Sequence, residues 1–210
     1  MNIKKLRSEY TNRHPLLERL KDTAHSILNR EIQRKKVPIH SLEGRIKSFP
    51  SVLEKIQRKG IKDKNPFRKI HDLLGIRIVC LFRSDIKKIK NIIGEIFEVI
   101  NEKNRINEIL PDIFGYRSLH FTVRLKRSSY NSYYERMRKI PFEVQLRTIA
   151  DDAWASVSHH LYYKQEDILP ADLKRDFHAL SGLFYIADTH FEMLRAKQIK
   201  RLTNTRFVKD

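Results

Sequence analysis

Residues Pro141–Lys164 read PFEVQLRTIADDAWASVSHHLYYK, and the fold turns on this stretch. It begins with strict alternation: Phe142, Val144 and Leu146 are apolar, while Glu143, Gln145 and Arg147 between them are polar. Successive side chains of a strand point to opposite faces. The pattern therefore predicts a strand with one face in a core and an acid, an amide and a cation in a row on the other. Thr148 is placed to N-cap a helix that has Asp151 and Asp152 in its first turn and carries Trp154. Strand and helix then join almost without a loop, which fixes the polar end of the strand against the helix start. A solvated strand face would show the same alternation; the abrupt junction is what suits a site.

Upstream, Gly115–Leu125 (GYRSLHFTVRL) alternates in the same way. Leu119, Phe121, Val123 and Leu125 define one face, Ser118, His120, Thr122 and Arg124 the other, and Tyr116 stands where the strand begins. His71–Phe82 (HDLLGIRIVCLF) is a nearly continuous apolar run, which predicts a buried strand with Asp72 ahead of it and Arg77 as its single charge. A cation in such a run needs a partner or a cleft, and a salt-bridged core arginine would satisfy it too. Gly75 permits close approach to the backbone. Val37–Lys47 is strand-like, with Arg45 and Lys47 on one face, and Ser48-Phe49-Pro50 opens a helix that stops at Gly60. A helix N-terminus beside two cations makes a polyphosphate cradle.

The remaining segments are read as helices and connections. Met1–Lys36 has helical spacing, with Pro15 in a first turn; Ser84–Phe97 is an amphipathic helix; Val99 and Ile100 begin a connection. Ser128–Lys139 reads as a polar, mobile connection. From Pro170 a long helix places Leu173, Phe177, Leu180, Phe184, Ala187, Phe191 and Leu194 in a stripe that packs on the core, and a basic, frayed tail follows from Arg195. The predicted class is α/β: a mixed β-sheet flanked by helices, with helical N- and C-terminal extensions. Its parts are a basic helical extension at 1–36, a central domain at 37–169 and a C-terminal helix with its tail at 170–210.

Composition narrows the function classes. The net charge is +18 over 210 residues, and residues 1–60 hold fifteen Lys and Arg against six Asp and Glu, half of that surplus. Such a chain favours polyanionic partners without naming one. A single cysteine, Cys80, excludes a disulfide framework and fits a reducing compartment. No apolar run is long enough for a signal peptide or a bilayer span, so a cytoplasmic location with no membrane partner is expected. The cluster Arg34-Lys35-Lys36 closes the first helix; cations suit a helix C-terminus, and binding of RNA is the other use for them. The nine histidines show no metal-ligand spacing.

Four motifs together carry a resemblance. Glu143-Val144-Gln145-Leu146-Arg147-Thr148 with Trp154-Ala155-Ser156, His159 and Tyr163-Lys164 resembles the E-x-Q-x-R-T…WAS…H…YK signature of RelA/SpoT-type nucleotide pyrophosphokinases. Arg45, Lys47, Ser48, Ser51 and Lys55 are similar to the family's R-x-K-S-x-x-S…K element, Asp72, Gly75, Arg77, Ile78 and Val79 to D-x-x-G-x-R-[IV]-[IV], and Gly115–His120 to G-Y-R-S-L-H. The resemblance implies a synthetase, nucleotidyltransferase-like fold and transfer of the β,γ-pyrophosphate of ATP to a ribose 3′-hydroxyl. It makes Asp72 and Glu143 the Mg²⁺ ligands, with Glu143 also positioned to take the proton. It assigns Arg45, Lys47, Ser48, Ser51, Lys55 and Arg77 to the donor ATP, and Tyr116 to the acceptor base together with Arg117, His120, Gln145, Arg147 and His159. The His71-Asp72 pair lacks the helical ligand set of an HD-type hydrolase, and the chain is too short for the hydrolase domain of the long family members.

The acceptor stays open at this level. The family favours GDP or GTP and the alarmones ppGpp and pppGpp. The lysine and asparagine that ordinarily precede the G-Y-R-S-L-H motif are replaced here by Leu110–Phe114, which includes Asp112. A toxic branch of the family modifies the 3′ CCA end of tRNA. There Arg34, Lys35 and Lys36 would grip the acceptor stem, and an antitoxin-like protein partner would be expected. Oligomers are also compatible with the sequence. An inactive RNA-binding module is a further alternative, but it would have no use for both Asp72 and Glu143.

Overall fold

The computed structural model describes residues 2–63, 65–104, 118–127, 132–162 and 170–207. Its five strands form one sheet in the order β1–β2–β5–β4–β3, made of β1 (Ile39–Ile46), β2 (Leu74–Cys80), β3 (Phe97–Asn104), β4 (Leu119–Leu125) and β5 (Phe142–Thr148). Only β2 and β5 run parallel; the other neighbours are antiparallel, so the sheet is mixed as expected. β5 lies at the centre, between β2 and β4.

The alternation in β5 and β4 separates two faces. Phe142, Val144, Leu146, Leu119, Phe121, Val123 and Leu125 are buried, together with Ile76 and Ile78 of β2. They face a helical layer formed by α1 (Ile3–Arg34) and α3 (Arg83–Ile96). α1 commits Leu17, Leu20, Ala24, Leu28 and Ile32 to this core, all at 0–1 % exposure. At about 1.5–3 kcal/mol for each fully buried large aliphatic side chain, the N-terminal helix is part of the core and not an appendage to it. The opposite face keeps the polar residues of the alternation. It is closed at one end by α5 (Ile149–Tyr162), against which α6 (Ala171–Phe207) packs.

Thr148 caps α5 as anticipated: the Asp151 amide donates to Thr148 Oγ1 at 3.2 Å. Cys80 is fully buried, and that burial, with Asp85 and Asp188 nearby, pushes its thiol up to about 12. No helix of the described residues is long and apolar enough to cross a membrane.

Five local expectations are corrected. Pro15 lies inside α1, which starts at Ile3 behind an Asn2 cap. The kink penalty is softened because Pro15 and Thr11, whose carbonyl loses its usual donor, are both exposed to water. Val99 and Ile100 belong to edge strand β3, whose residues Glu98–Lys103 are exposed and therefore lack a buried alternation. Within the segment read as a connection, Ser132–Arg138 forms helix α4, with Met137 buried. In the apolar stripe of α6, Leu173, Phe191 and Leu194 are exposed at 39 %, 44 % and 62 %. Finally, α6 continues through Arg195 to Phe207 instead of fraying, and Arg195 itself is an anchor: its Nη1 lies 2.6 Å from Oδ2 of the fully buried Asp85, and its guanidinium is 4.4 Å from the centre of the Phe82 ring.

Candidate active site

The register of the sheet sets out the polar face. Arg45 pairs with Gly75, Gly75 with Glu143 and Glu143 with Thr122; the next row is Glu43, Arg77, Gln145 and His120. Paired residues project to one side, so four separated segments of sequence meet on one surface.

Hydrogen bonds tie this surface into a chain. His120 Nδ1 lies 2.9 Å from Glu143 Oε1, and His120 Nε2 lies 2.7 Å from Ser118 Oγ. Gln145 Nε2 donates to Glu143 Oε2 at 2.8 Å, and Arg147 Nη2 donates to Gln145 Oε1 at 2.9 Å. A guanidinium can only donate, so Arg147 fixes the Gln145 carbonyl toward itself and turns the amide NH₂ toward Glu143. Burial alone would raise the Glu143 carboxyl. The bonds with His120 and from Gln145 outweigh that burial and the repulsion of Asp72, and hold it below the usual carboxylate range. Each of its oxygens has one bond in this network and a second lone pair to offer.

At the far end, Asp152 in the first turn of α5 pairs with two cations of the face. Its Oδ1 is 3.2 Å from Arg147 Nη1 and 3.5 Å from Arg77 Nη1. Sequence reading used Asp152 only as a helix-start acid. Its position five residues past Arg147, across a junction without a loop, was the available signal.

Asp72 precedes β2. Its Oδ2 accepts from Lys55 Nζ at 2.6 Å and also from Lys47 Nζ, and these two bonds hold the carboxyl below its ordinary value although burial pushes the other way. The Lys47 amide donates to Leu73 O at 2.8 Å, which pins the end of β1 beside Asp72. Asp72 Oδ1 is buried with no hydrogen-bond partner among the described residues. A buried anionic oxygen left open, within electrostatic reach of a second carboxylate at Glu143, fits a cation.

The lysines continue into a cavity of about 330 Å³ at the N-terminus of α2 (Phe49–Arg58). Arg45, Lys47, Lys55 and Arg58 line it with Ser48, Ser51 and Glu54. Ser48 makes no side-chain cap; its hydroxyl bonds Ser51 Oγ at 3.0 Å instead. The site thus offers four cations, two hydroxyls and a helix N-terminus. Arg58 was missed in the sequence, although its spacing of three from Lys55 puts both on one helix face. His159, expected on the acceptor side, lines this same cavity. Tyr116 and Arg117 lie outside the described residues. Arg34 and Lys35 are engaged in ion pairs: Arg34 Nε pairs with Glu31 at 2.7 Å and Lys35 Nζ with Glu95 at 2.6 Å, while Lys36 takes the left-handed turn at the end of α1, with φ 53°.

Residues 44–168 match the family model described as a region found in RelA and SpoT proteins. The chain belongs to the RelA/SpoT family. Among its relatives is GTP pyrophosphokinase YwaC of Bacillus subtilis (strain 168), 34 % identical over 173 residues that cover 80 % of each chain. GTP pyrophosphokinase YjbM of the same organism is 32 % identical over 139 residues, 65 % of this chain and 63 % of that one. The crystal structure of small alarmone synthetase 1 from Bacillus subtilis bound to its product pppGpp superposes with a TM-score of 0.71 at 26 % identity, over 92 % of this chain and 98 % of that one. The mixed sheet with its two helical flanks is therefore the RelA/SpoT synthetase arrangement. The Glu143 chain, the Asp72–lysine cluster and all of the cavity lining fall inside the matched region.

Proposed function

We propose that this protein is a cytoplasmic pyrophosphokinase that transfers the β,γ-pyrophosphate of ATP to the ribose 3′-hydroxyl of GDP or GTP, making ppGpp or pppGpp. The observation that carries this reading is the placement of an ionised, doubly hydrogen-bonded carboxylate, Glu143, on the same cross-strand row as Arg45, which lines a cavity with four cations. The names of the relatives and the pppGpp-bound neighbour support the acceptor class.

In this reaction the acceptor 3′-oxygen forms a bond to the β-phosphorus, the bridging bond between the α- and β-phosphates breaks, and AMP leaves. Arg45, Lys47, Lys55 and Arg58 hold the phosphates, and Ser48 and Ser51 with the α2 N-terminus add donors to them. Glu143 accepts the hydroxyl proton on a free lone pair. His120 and Gln145 hold its carboxylate in one orientation, which is what general-base catalysis requires of geometry. Arg77, assigned to the donor, is steadied by Asp152. Asp72 and Glu143 would hold Mg²⁺, which when bound neutralises the triphosphate charge. Tyr116 is assigned to the acceptor base, with Arg117 beside it.

The test is incubation with ATP labelled in the γ-phosphate, Mg²⁺ and, in separate reactions, GDP, GTP and deacylated tRNA. Labelled ppGpp and pppGpp with stoichiometric AMP is the expected result. Label on tRNA alone would replace the guanosine nucleotide with the tRNA 3′ end as acceptor. No transfer to any acceptor would overturn the enzyme reading.

A further inference from the structure

Gly75 occupies the middle of the row Arg45–Gly75–Glu143, so the one position without a side chain separates the donor cation from the acceptor-side carboxylate. The described residues give no reason for glycine there. Among the described glycines only Gly60 has a left-handed φ, so Gly75 has a backbone conformation open to other residues. Among the described residues, a Cβ built on Gly75 meets no atom within 4 Å beyond its chain neighbours, whereas one on Gly44 would come 2.9 Å from Lys21 Cγ. Gly44 is thus kept small by α1 packing; Gly75 is not kept small by any described part of the chain.

Glycine in a strand interior is also unfavourable. It loses the most backbone entropy on folding and contributes no side chain to cross-strand packing. β2 is hydrogen-bonded on both sides, to β1 and to β5, which is where a substituted residue would stabilise most. The strand forgoes that stabilisation at the residue next to Glu143. A requirement that comes neither from the backbone nor from packing of the described residues points to what binds on the face.

We propose that Gly75 is the floor of the transfer site, and that its missing side chain makes room for the pyrophosphoryl group in flight between the Arg45 side and Glu143. This rests on the pyrophosphokinase reading, because an in-line displacement puts the moving phosphorus between the leaving oxygen held by the donor clamp and the attacking oxygen at the base. A methyl group there would stand where that phosphorus has to pass. It would leave the cavity lined by Lys55 and Arg58 untouched.

The experiment compares Gly75→Ala with the parent and with Gly94→Ala. Gly94 is exposed on α3, a Cβ there also meets nothing within 4 Å, and it touches no part of the site. The expected result for Gly75→Ala is a Tm equal to or above the parent's and kcat lower by about 100-fold, the scale of an ångström-sized misplacement of reacting groups. Affinity for a non-hydrolysable ATP analogue, measured by calorimetry, should stay within about threefold. Gly94→Ala should raise Tm and leave kcat alone. A folded Gly75→Ala enzyme with near-parental kcat overturns the floor assignment, and so does a lowered Tm, which would mean that the fold demands the glycine. An inactive parent defeats the proposed function first; an active parent with an active Gly75→Ala variant defeats only this inference.

Discussion

His120 does not stand opposite Glu143 on the neighbouring strand; it stands opposite Gln145 and reaches Glu143 diagonally, Nδ1 to Oε1, at 2.9 Å. Gln145 bonds the other oxygen of the same carboxylate. The carboxylate is thereby held from two directions, and its outer lone pairs remain for a substrate hydroxyl.

Glu143→Gln should therefore reduce transfer by about 10²–10⁴-fold, the usual contribution of a positioned general base. Asp72→Asn should be at least as severe, because it also releases Lys47 and Lys55 from their shared anchor. Steady-state kinetics with circular dichroism checks both. A folded variant with near-parental turnover would remove that carboxylate from the site.

Acid should weaken the fold through the same two groups. Asp72 and Glu143 both have folded-state values below the ordinary range, so in acid the unfolded chain binds more protons than the folded one. Their stabilisation is complete above the unfolded values near about 4 and is lost as pH falls through the folded values. Tm measured by calorimetry from about pH 6 down to about pH 3 should fall, and fall less in an Asp72→Asn, Glu143→Gln double variant. Glu18 and Glu31 also have lowered values but pair with Lys21 and Arg34 at the surface, where water screens them, so they should add little. An identical pH slope in parent and double variant would mean that the acid-sensitive carboxylates lie elsewhere.

The contact of Arg195 with Asp85 makes a stability prediction of its own. Arg195→Ala leaves the fully buried Asp85 with Lys88, at 2.8 Å, as its remaining cationic partner among the described residues. The cost should be about 3 kcal/mol, as for other broken buried pairs, or roughly 6–12 °C in Tm for a chain of this size. A shift under about 1 °C would show that α6 is not anchored there.

Neutralising Arg34, Lys35 and Lys36 together to glutamine should hardly change product formation from GDP or GTP. It should cost no more than about 1 kcal/mol, because Arg34 and Lys35 make surface ion pairs. Transfer to tRNA, if the parent performs it, should fall and lose salt dependence in the same variant. Suppressed ppGpp synthesis with unchanged folding would place these cations in the guanosine nucleotide's path.

Much of the fold was legible in the chain. Strict alternation in Phe142–Arg147 and Leu119–Leu125 can bury only one face of a strand, so the core face, the polar face and the strand type all followed from periodicity. β3 escaped because an edge strand with exposed Glu98–Lys103 has no buried face to impose alternation. α4 escaped because seven residues give too short a period to read. Arg195 looked like tail charge, since no local pattern announces that a cation will meet Asp85 across 110 residues. The motifs named Asp72, Glu143, Arg77 and Lys55. The tertiary structure decided what each one touches: that Lys47 and Lys55 share Asp72, that Asp152 joins Arg77 to Arg147, that His159 lines the cavity of Arg45, and that Gly75 lies between Arg45 and Glu143. The physical reason is that periodicity is a property of one segment, whereas these contacts depend on strand order and register, and both are settled only when β5 inserts between β2 and β4.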